Sequence, residues 1–184
     1  MNADAEVMEF FPQPQTPEQS FASLERLKRG IDERGWGLWA VELEHEFAGF
    51  TGLAEPGFKG HFTPCIEIGW RFHRKFWGRG YALEAARVAL RFAFGSLRFR
   101  EVVSFTTRLN ERSRRLMQRL GMTHLPLDDF EHPMLPVGHA LRHHVLFRIQ
   151  NSPALLRKLN QDLAERDGRS NRGPVSQLGS IQSY

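Results

Sequence analysis

A single cysteine, Cys65, stands among the 184 residues, so no internal disulfide can form and a cysteine-rich metal cluster is excluded. No apolar run approaches the length that spans a bilayer. The start Met1-Asn2-Ala3-Asp4-Ala5-Glu6 has neither the basic nor the apolar region of a secretory signal, and the reading is a cytosolic protein without membrane contact. Gly-Lys-Ser/Thr occurs nowhere, which removes a Walker-type phosphate loop. A Rossmann fingerprint would need a third glycine at position 83, where Leu83 stands. Both common nucleotide loops are therefore missing.

The chain is 41% hydrophobic, enough for one packed domain, expected over residues 1–150, with a tail over 151–184. Its net charge of +4 fits nucleic acid or a pocket for a ligand with several phosphates, and charge alone does not choose.

The stretch from Ile66 to Ala86 organises the rest. Ile66, Ile68, Trp70 and Phe72 alternate with Glu67, Gly69, Arg71 and His73, which is a strand period. Beyond the glycines, Ala82, Ala85, Ala86, Ala89, Leu90 and Ala93 recur at helical spacing. Between the two, Arg74 to Gly80 forms a short turn that ends at the open N–H groups of a helix. Free amides, the positive end of the helix dipole, and Arg74, Lys75 and Arg79 beside them make an anion cradle.

Along the rest of the chain, Pro12-Gln13-Pro14 breaks the opening segment, and Thr16-Pro17-Glu18-Gln19 is a capping box. The helix it starts carries Phe21, Leu24, Leu27 and Ile31 on one face and ends near Gly35. Trp36 to Leu43 reads as a strand buried largely on both faces, paired through Glu44-His45-Glu46 with a second strand from Phe47 to Leu53. Ala54 to Pro64 is a loop. Glu101 to Thr107 should run parallel to the Ile66 strand, with the alanine-rich helix as the crossover. Asn110 caps the next helix, Leu116, Met117 and Leu120 give it an apolar stripe, and Gly121 ends it. Leu125 to Gly138 is a loop and Arg142 to Ile149 the last strand. Beyond it, Ala154 to Arg166 suits a short helix, and Asp167 to Tyr184 has the composition of a disordered end. His139, His143 and His144 lack a helix that would bring two of them onto one face, so no metal site is expected.

Lys75-Phe76-Trp77-Gly78-Arg79-Gly80 resembles the pyrophosphate loop of the GNAT superfamily of acyl-CoA-dependent N-acyltransferases, Gln/Arg-x-x-Gly-x-Gly/Ala, with lysine as a mild departure at the first position. The run from Trp77 to Ala85 looks more narrowly like the Rim-type branch, which includes the ribosomal-protein N-terminal acetyltransferases. Asn110-Glu111-Arg112-Ser113 resembles the second signature of the family, Asn-x-x-Ser before a helix, with Met122 in place of the usual phenylalanine at its close.

The resemblance implies an α/β fold with a mixed sheet, here without the family's first strand and with only the end of its first helix before Phe11. It implies transfer of an acetyl group from acetyl-CoA to a primary amine on a protein or small molecule, with no metal. Trp70, Arg71 and Phe72 would lie along the pantetheine, where a bulge splays two parallel strands. Lys75, Gly78, Arg79, Gly80, Tyr81 and Ala82 would face the pyrophosphate, and Asn110 the pantetheine or acceptor. A carboxylate in an apolar strand, Glu67 is the candidate base, or else a solvent-facing or arginine-paired carboxylate. Ser113 is the candidate hydrogen-bond donor to the leaving sulfur, or else an ordinary first-turn serine. Helix 17–34 would line the acceptor groove or simply cover the sheet. The alternatives are a module that binds acyl-CoA without turnover and, on the strength of Arg108, Arg112, Arg114, Arg115 and Arg119, a nucleic-acid binder. A homodimer that completes the sheet edge is also open.

Overall fold

In the computed structural model of the chain, residues 1–169 are described. Thr16 opens α1 (Pro17–Arg34) with a reciprocal capping box: its hydroxyl accepts from the Gln19 amide and the Gln19 side chain accepts from the Thr16 amide. Gly35, at φ 74°, closes the helix. The apolar stripe of α1 does not cover the sheet. Phe21 and Leu24 are 64% and 57% exposed, and Gly30 is the helix's buried residue. Its C-terminal end is seated with Ile31 against Gly37 and the Arg34 guanidinium over Trp36, and near its start Asn2 Nδ2 donates to Ser20 Oγ at 3.3 Å.

The hairpin β1 (Leu38–Leu43) and β2 (Glu46–Ala54) turns through Glu44 and His45, both at positive φ. β3 (Glu67–Phe72) pairs antiparallel with β2, and the chain then passes through α2 (Tyr81–Gly95) to β4 (Glu101–Thr107), parallel to β3. α3 (Glu111–Arg119), β5 (Thr123–His124), β6 (Phe130–Glu131), β7 (His143–Gln150) and α4 (Pro153–Arg169) follow. The sheet order is β1-β2-β3-β4-β7-β5, with β6 beside β7. The fold is therefore the expected α/β type with a mixed sheet.

One face of the sheet packs on α2. Leu83, Ala86, Ala89, Leu90, Ala93 and Phe94 are its buried residues, and they meet Leu53, Ile68 and Val102. Small alanines let the helix lie close to the strands. Ala82 and Ala85, read from the sequence as part of the apolar face, are only half-buried; Leu83 and Phe94 take that role. On the other face Phe62, Val103 and Leu146 form a second core with Phe58, Phe105 and Phe130. α4 docks on α2 through Leu155, Leu156 and buried Leu159, with an Arg87–Asp162 ion pair at 3.1 Å. The expected disordered end lies mostly outside the described residues.

Two other readings are corrected. Met1 to Phe11 is a series of turns and not the end of a helix; Met8 N–H donates to Asp4 O, and Val7 and Met8 are buried. The first strand is an edge strand: Trp36 and Gly37 are buried ahead of it, but Ala40 and Glu42 are exposed because no strand lies beyond β1 among the described residues. No described helix is long and apolar enough to cross a membrane.

At Gly49 in β2, φ 157°, an added Cβ would sit 2.2 Å from the Arg71 carbonyl oxygen and 2.7 Å from Phe72 Cα of β3. Gly49→Ala is expected to lower the unfolding free energy by about 2 kcal/mol through that overlap. Urea denaturation measures this, and an unchanged midpoint would show that the two strands part freely.

Candidate functional site

After Glu67 the parallel ladder between β3 and β4 ends. Glu67↔Val103 is its one registered pair, supported by the Val103 N–H to Ile66 O bond at 2.8 Å. From Ile68 to Phe72, β3 has a partner on the β2 side only. The sheet is therefore parted between two central strands, as the resemblance implied. The bulge expected to cause the parting is absent: β3 runs in unbroken register with β2 from Gly49↔Phe72 to Ala54↔Glu67. The one register shift in these ladders falls at Val41/Glu42, in β1.

At the open end lies the turn. Gly78 and Gly80 sit at φ 74° and 89°, the left-handed region that other residues adopt at a cost, and Gly80 is the N-cap of α2. The first α2 bond is Glu84 N–H to Gly80 O. Among the described residues no backbone carbonyl accepts from the amides of Gly78, Arg79, Gly80, Tyr81, Ala82 or Leu83. Trp77 anchors the turn from below, with its indole N–H donating to Phe72 O at 2.9 Å and its amide to Arg74 O. Tyr81 stacks edge-on against Phe76.

The cations are not all where the sequence suggested. Lys75 is ion-paired with Glu46 of the hairpin, and Arg74 with Glu6 at 2.6 Å, so carboxylates already claim both. Arg79 is exposed and carries no ion pair among the described residues. Arg112, named from the sequence only within the second signature and among the arginines 108–119, lies with its guanidinium 4.4 Å from the Trp77 ring centroid. It reaches across from α3 to the turn. No pattern signalled this, because the contact joins two signatures that are thirty-five positions apart.

Trp70 and Phe72 face α2, whereas Arg71 points to the opposite face, so these three do not form one line of side chains. Trp70 Nε1 donates to Ser113 Oγ at 3.3 Å across the parting. Asn110 caps α3 by accepting from Ser113 N–H at 3.1 Å, and its amide nitrogen donates to Thr106 Oγ1. Ser113 and Asn110 are thus brought to the β4 side of the opening and Trp70 to the β3 side.

Glu67 occupies the apex. Its side chain has no hydrogen-bond or ion-pair partner among the described residues, and burial pushes its carboxyl up to about 8. Neighbouring Cys65 is raised to about 11, chiefly by burial and then by the Glu67 charge. On the same face as Glu67 lie Val103, Phe105 and Phe62, beside His132 and His144 with ring centroids 4.8 Å apart. Burial lowers both histidines, His144 to about 4, so this wall is apolar and neutral. His143 instead pairs with Glu131 at the surface.

A cradle of bare amides, an open strand edge and an unpartnered carboxyl at the apex together suit an extended anionic carrier that delivers a group to a nucleophile whose proton the carboxylate takes. Comparison with known proteins agrees. Residues 1–123 match the model of the acetyltransferase (GNAT) domain. Over 95 residues, half of this chain, the sequence is 40% identical to the FsC-acetyl coenzyme A-N(2)-transacetylase of Aspergillus fumigatus. The chain spans only 40% to 54% of the length of the curated relatives it matches. A GNAT-family acetyltransferase structure from Bacillus anthracis superposes with TM-score 0.64 at 24% identity, covering 81% of this chain and 84% of that one. The ribosomal-protein-S5-alanine acetyltransferase of Vibrio fischeri superposes with TM-score 0.65 at 17% identity, over 83% and 84% of the two chains, which shows the shared fold. With a family model matched over more than half of its length and the parted sheet of that fold, the chain belongs to the GNAT acetyltransferase family.

Proposed function

We propose that the protein is an N-acetyltransferase that moves the acetyl group of acetyl-CoA directly to a primary amine in a ternary complex. The observation that carries this is the run of unclaimed amides from Gly78 to Leu83 at the head of α2, opening onto the free edge of β3. Diphosphate oxygens are the ligands such a left-handed glycine turn accepts best. Lys75, Arg79, Tyr81 and Ala82 border it, but Lys75 is neutralised by Glu46, so Arg79 and Arg112 supply the charge. The pantetheine amides pair along β3 from Phe72 past Trp70 toward Glu67, and Asn110 flanks the same path. We place the chain in the Rim-type branch on the run from Trp77 to Ala85, with which the fold shared with the Vibrio enzyme is consistent.

The chemistry follows from the apex. The acceptor amine must be neutral to attack the thioester carbon, and Glu67, once ionised, takes its proton. As the C–N bond forms, a β3 backbone amide steadies the charge on the carbonyl oxygen. The C–S bond then breaks and the thiolate leaves while accepting a hydrogen bond from Ser113. Because Ser113 Oγ accepts from Trp70, its own hydrogen is free to point at the sulfur. The acceptor in life is a protein N-terminus, a lysine or a small-molecule amine. Residues 1–150 hold this machinery, and the described part of 151–184 buttresses α2.

Gly80→Glu places a carboxylate in the turn and is expected to abolish acetyl-CoA binding, read by calorimetry. Normal affinity in that variant would remove the cradle, and acetyl-CoA binding without thiol release across an amine panel would reduce the protein to a binding module.

The rate should rise with pH and level off above about 8, the value to which burial pushes Glu67. Glu67→Gln should lower kcat strongly and remove that limb while leaving acetyl-CoA affinity nearly intact; an unchanged profile removes Glu67 from the role.

Stability carries an independent signature of the same group. The Glu67 carboxyl titrates near its ordinary 4.5 when unfolded and about 8 when folded, so between these values the folded state holds a proton that the unfolded state has lost. Its contribution is present in full below pH 4.5 and is lost as pH rises toward 8. Glu67→Gln should therefore flatten the fall in Tm between pH 5 and pH 8, and parallel curves for the two proteins would contradict the raised carboxyl.

A further inference from the structure

Glu67, Gly69 and Arg71 alternate onto the sheet face opposite α2, and all three are opposed on β2 by Ala54, Gly52 and Phe50. The paired glycines Gly52 and Gly69 put no side chains there. A Cβ added to Gly69 would meet nothing within 4 Å except Glu67 Oε1, at 4.0 Å. A bare strip of backbone thus separates an ionisable carboxyl from a guanidinium, and neither has an ion-pair partner among the described residues.

Arg71 is an unusual cation for its place. It is held far out of water, which lowers its guanidinium to about 10. Nη1 donates to the neutral amide oxygen of Asn2 at 2.9 Å, and the plane lies 4.0 Å from the Phe11 ring centroid and 5.3 Å from that of Phe50. Nε is buried and makes no hydrogen bond. Desolvating an arginine and leaving a donor unmatched is costly, and aromatic faces return only part of that cost. A planar anion matches a guanidinium fork far better than one amide oxygen does, because charge-assisted bonds are about twice as strong.

We propose that Glu67, Gly69 and Arg71 form an acceptor site for amines that also carry a carboxylate. The carboxylate displaces Asn2 on Arg71, the carbon skeleton lies over Gly69, and the amine reaches Glu67 at the apex where the β3–β4 ladder ends. This rests on the acetyl-transfer reading above and names its substrate class. Four residue rises separate the Cα atoms of Glu67 and Arg71 by about 13 Å, and the side chains shorten that span, so the site favours an amine and a carboxylate several ångströms apart. In the transfer the acceptor C–N bond forms, the thioester C–S bond breaks, the amine proton goes to Glu67 and the thiolate leaves; the carboxylate is unchanged.

The test is thiol release from acetyl-CoA with acceptors that differ only by a carboxylate: 4-aminobutyrate against butylamine, and lysine against cadaverine. The wild-type protein should favour the carboxylate member of each pair by about tenfold or more in kcat/KM, the value of one good charge-assisted contact. Arg71→Gln should bring that ratio close to one, and Arg71→Lys should retain part of it. Gly69→Val should raise KM for the amino acids more than for butylamine and cadaverine. Equal kcat/KM within the pairs for the wild-type protein overturns the site, whatever the variants do, and so does a ratio that persists in Arg71→Gln. Thiol release with none of the four amines, while a peptide amine still supports it, also overturns the site; acetyl-CoA binding with no release from any amine, peptides included, overturns the acetyl-transfer reading itself.

Discussion

The site exists because β3 and β4 pair at one point and then separate. Beyond Glu67↔Val103 the β3 edge has no strand beside it, although it lies in the middle of the sheet. Unpaired backbone inside a protein is expensive, and a native fold tolerates it where a ligand or water completes the bonding. The rest of the molecule makes that gap affordable. On one side β3 is locked to β2 over its whole length, and on the other β4 is locked to β7 in continuous register from Glu101↔Gln150 to Thr107↔His144. Each strand has a firm neighbour away from the gap, so neither needs the other.

Charge placement follows from the same gap. The helix that crosses between β3 and β4 must begin at the wide end, and its first amides therefore face the opening. Its neighbouring cations are shared out: the hairpin takes Lys75 through Glu46, the opening segment takes Arg74 through Glu6, and Arg112 leans on Trp77 from the far side. Exposed pairs such as these contribute little to stability. Their effect is on position, since they hold two cations off the turn and leave the amide dipoles and the α3 arginine to define the field there.

Much of this was legible because it is local. The strand period before Phe72, the glycines at 78 and 80, and the cap at Asn110 are each set by a few adjacent residues, and all appear where their chemistry required. Glu67 was legible for the same reason, as a charge in an apolar strand. What could not be read depends on distant neighbours. Arg71 lies on a predictable face, but its contacts with Asn2 and Phe11 join ends of the sequence that no period relates. Lys75 looked like a phosphate ligand because nothing in its own stretch reveals Glu46 across the hairpin. The exposed stripe of α1 misled in the opposite direction: its spacing is that of a buried face, and amphipathicity says which side would be covered but not whether anything covers it. The bulge failed on similar grounds, because strands can be parted by their outer ladders without an extra residue in either.

The two strands are nevertheless tied once more, by side chains. Trp70 from β3 donates to Ser113 at the start of α3, and Asn110 fixes that start to Thr106 of β4. A hydrogen bond of 3.3 Å between an indole and a hydroxyl is a weak strut compared with a backbone ladder. It sets a width without closing the gap, and it can yield when a carrier inserts its own amides along β3. The same bond leaves the serine with one hydrogen and a fixed direction for it. Positioning the donor and limiting the opening are thus one interaction, which is why the indole at 70 and the serine of the second signature belong to a single device although forty-three residues separate them.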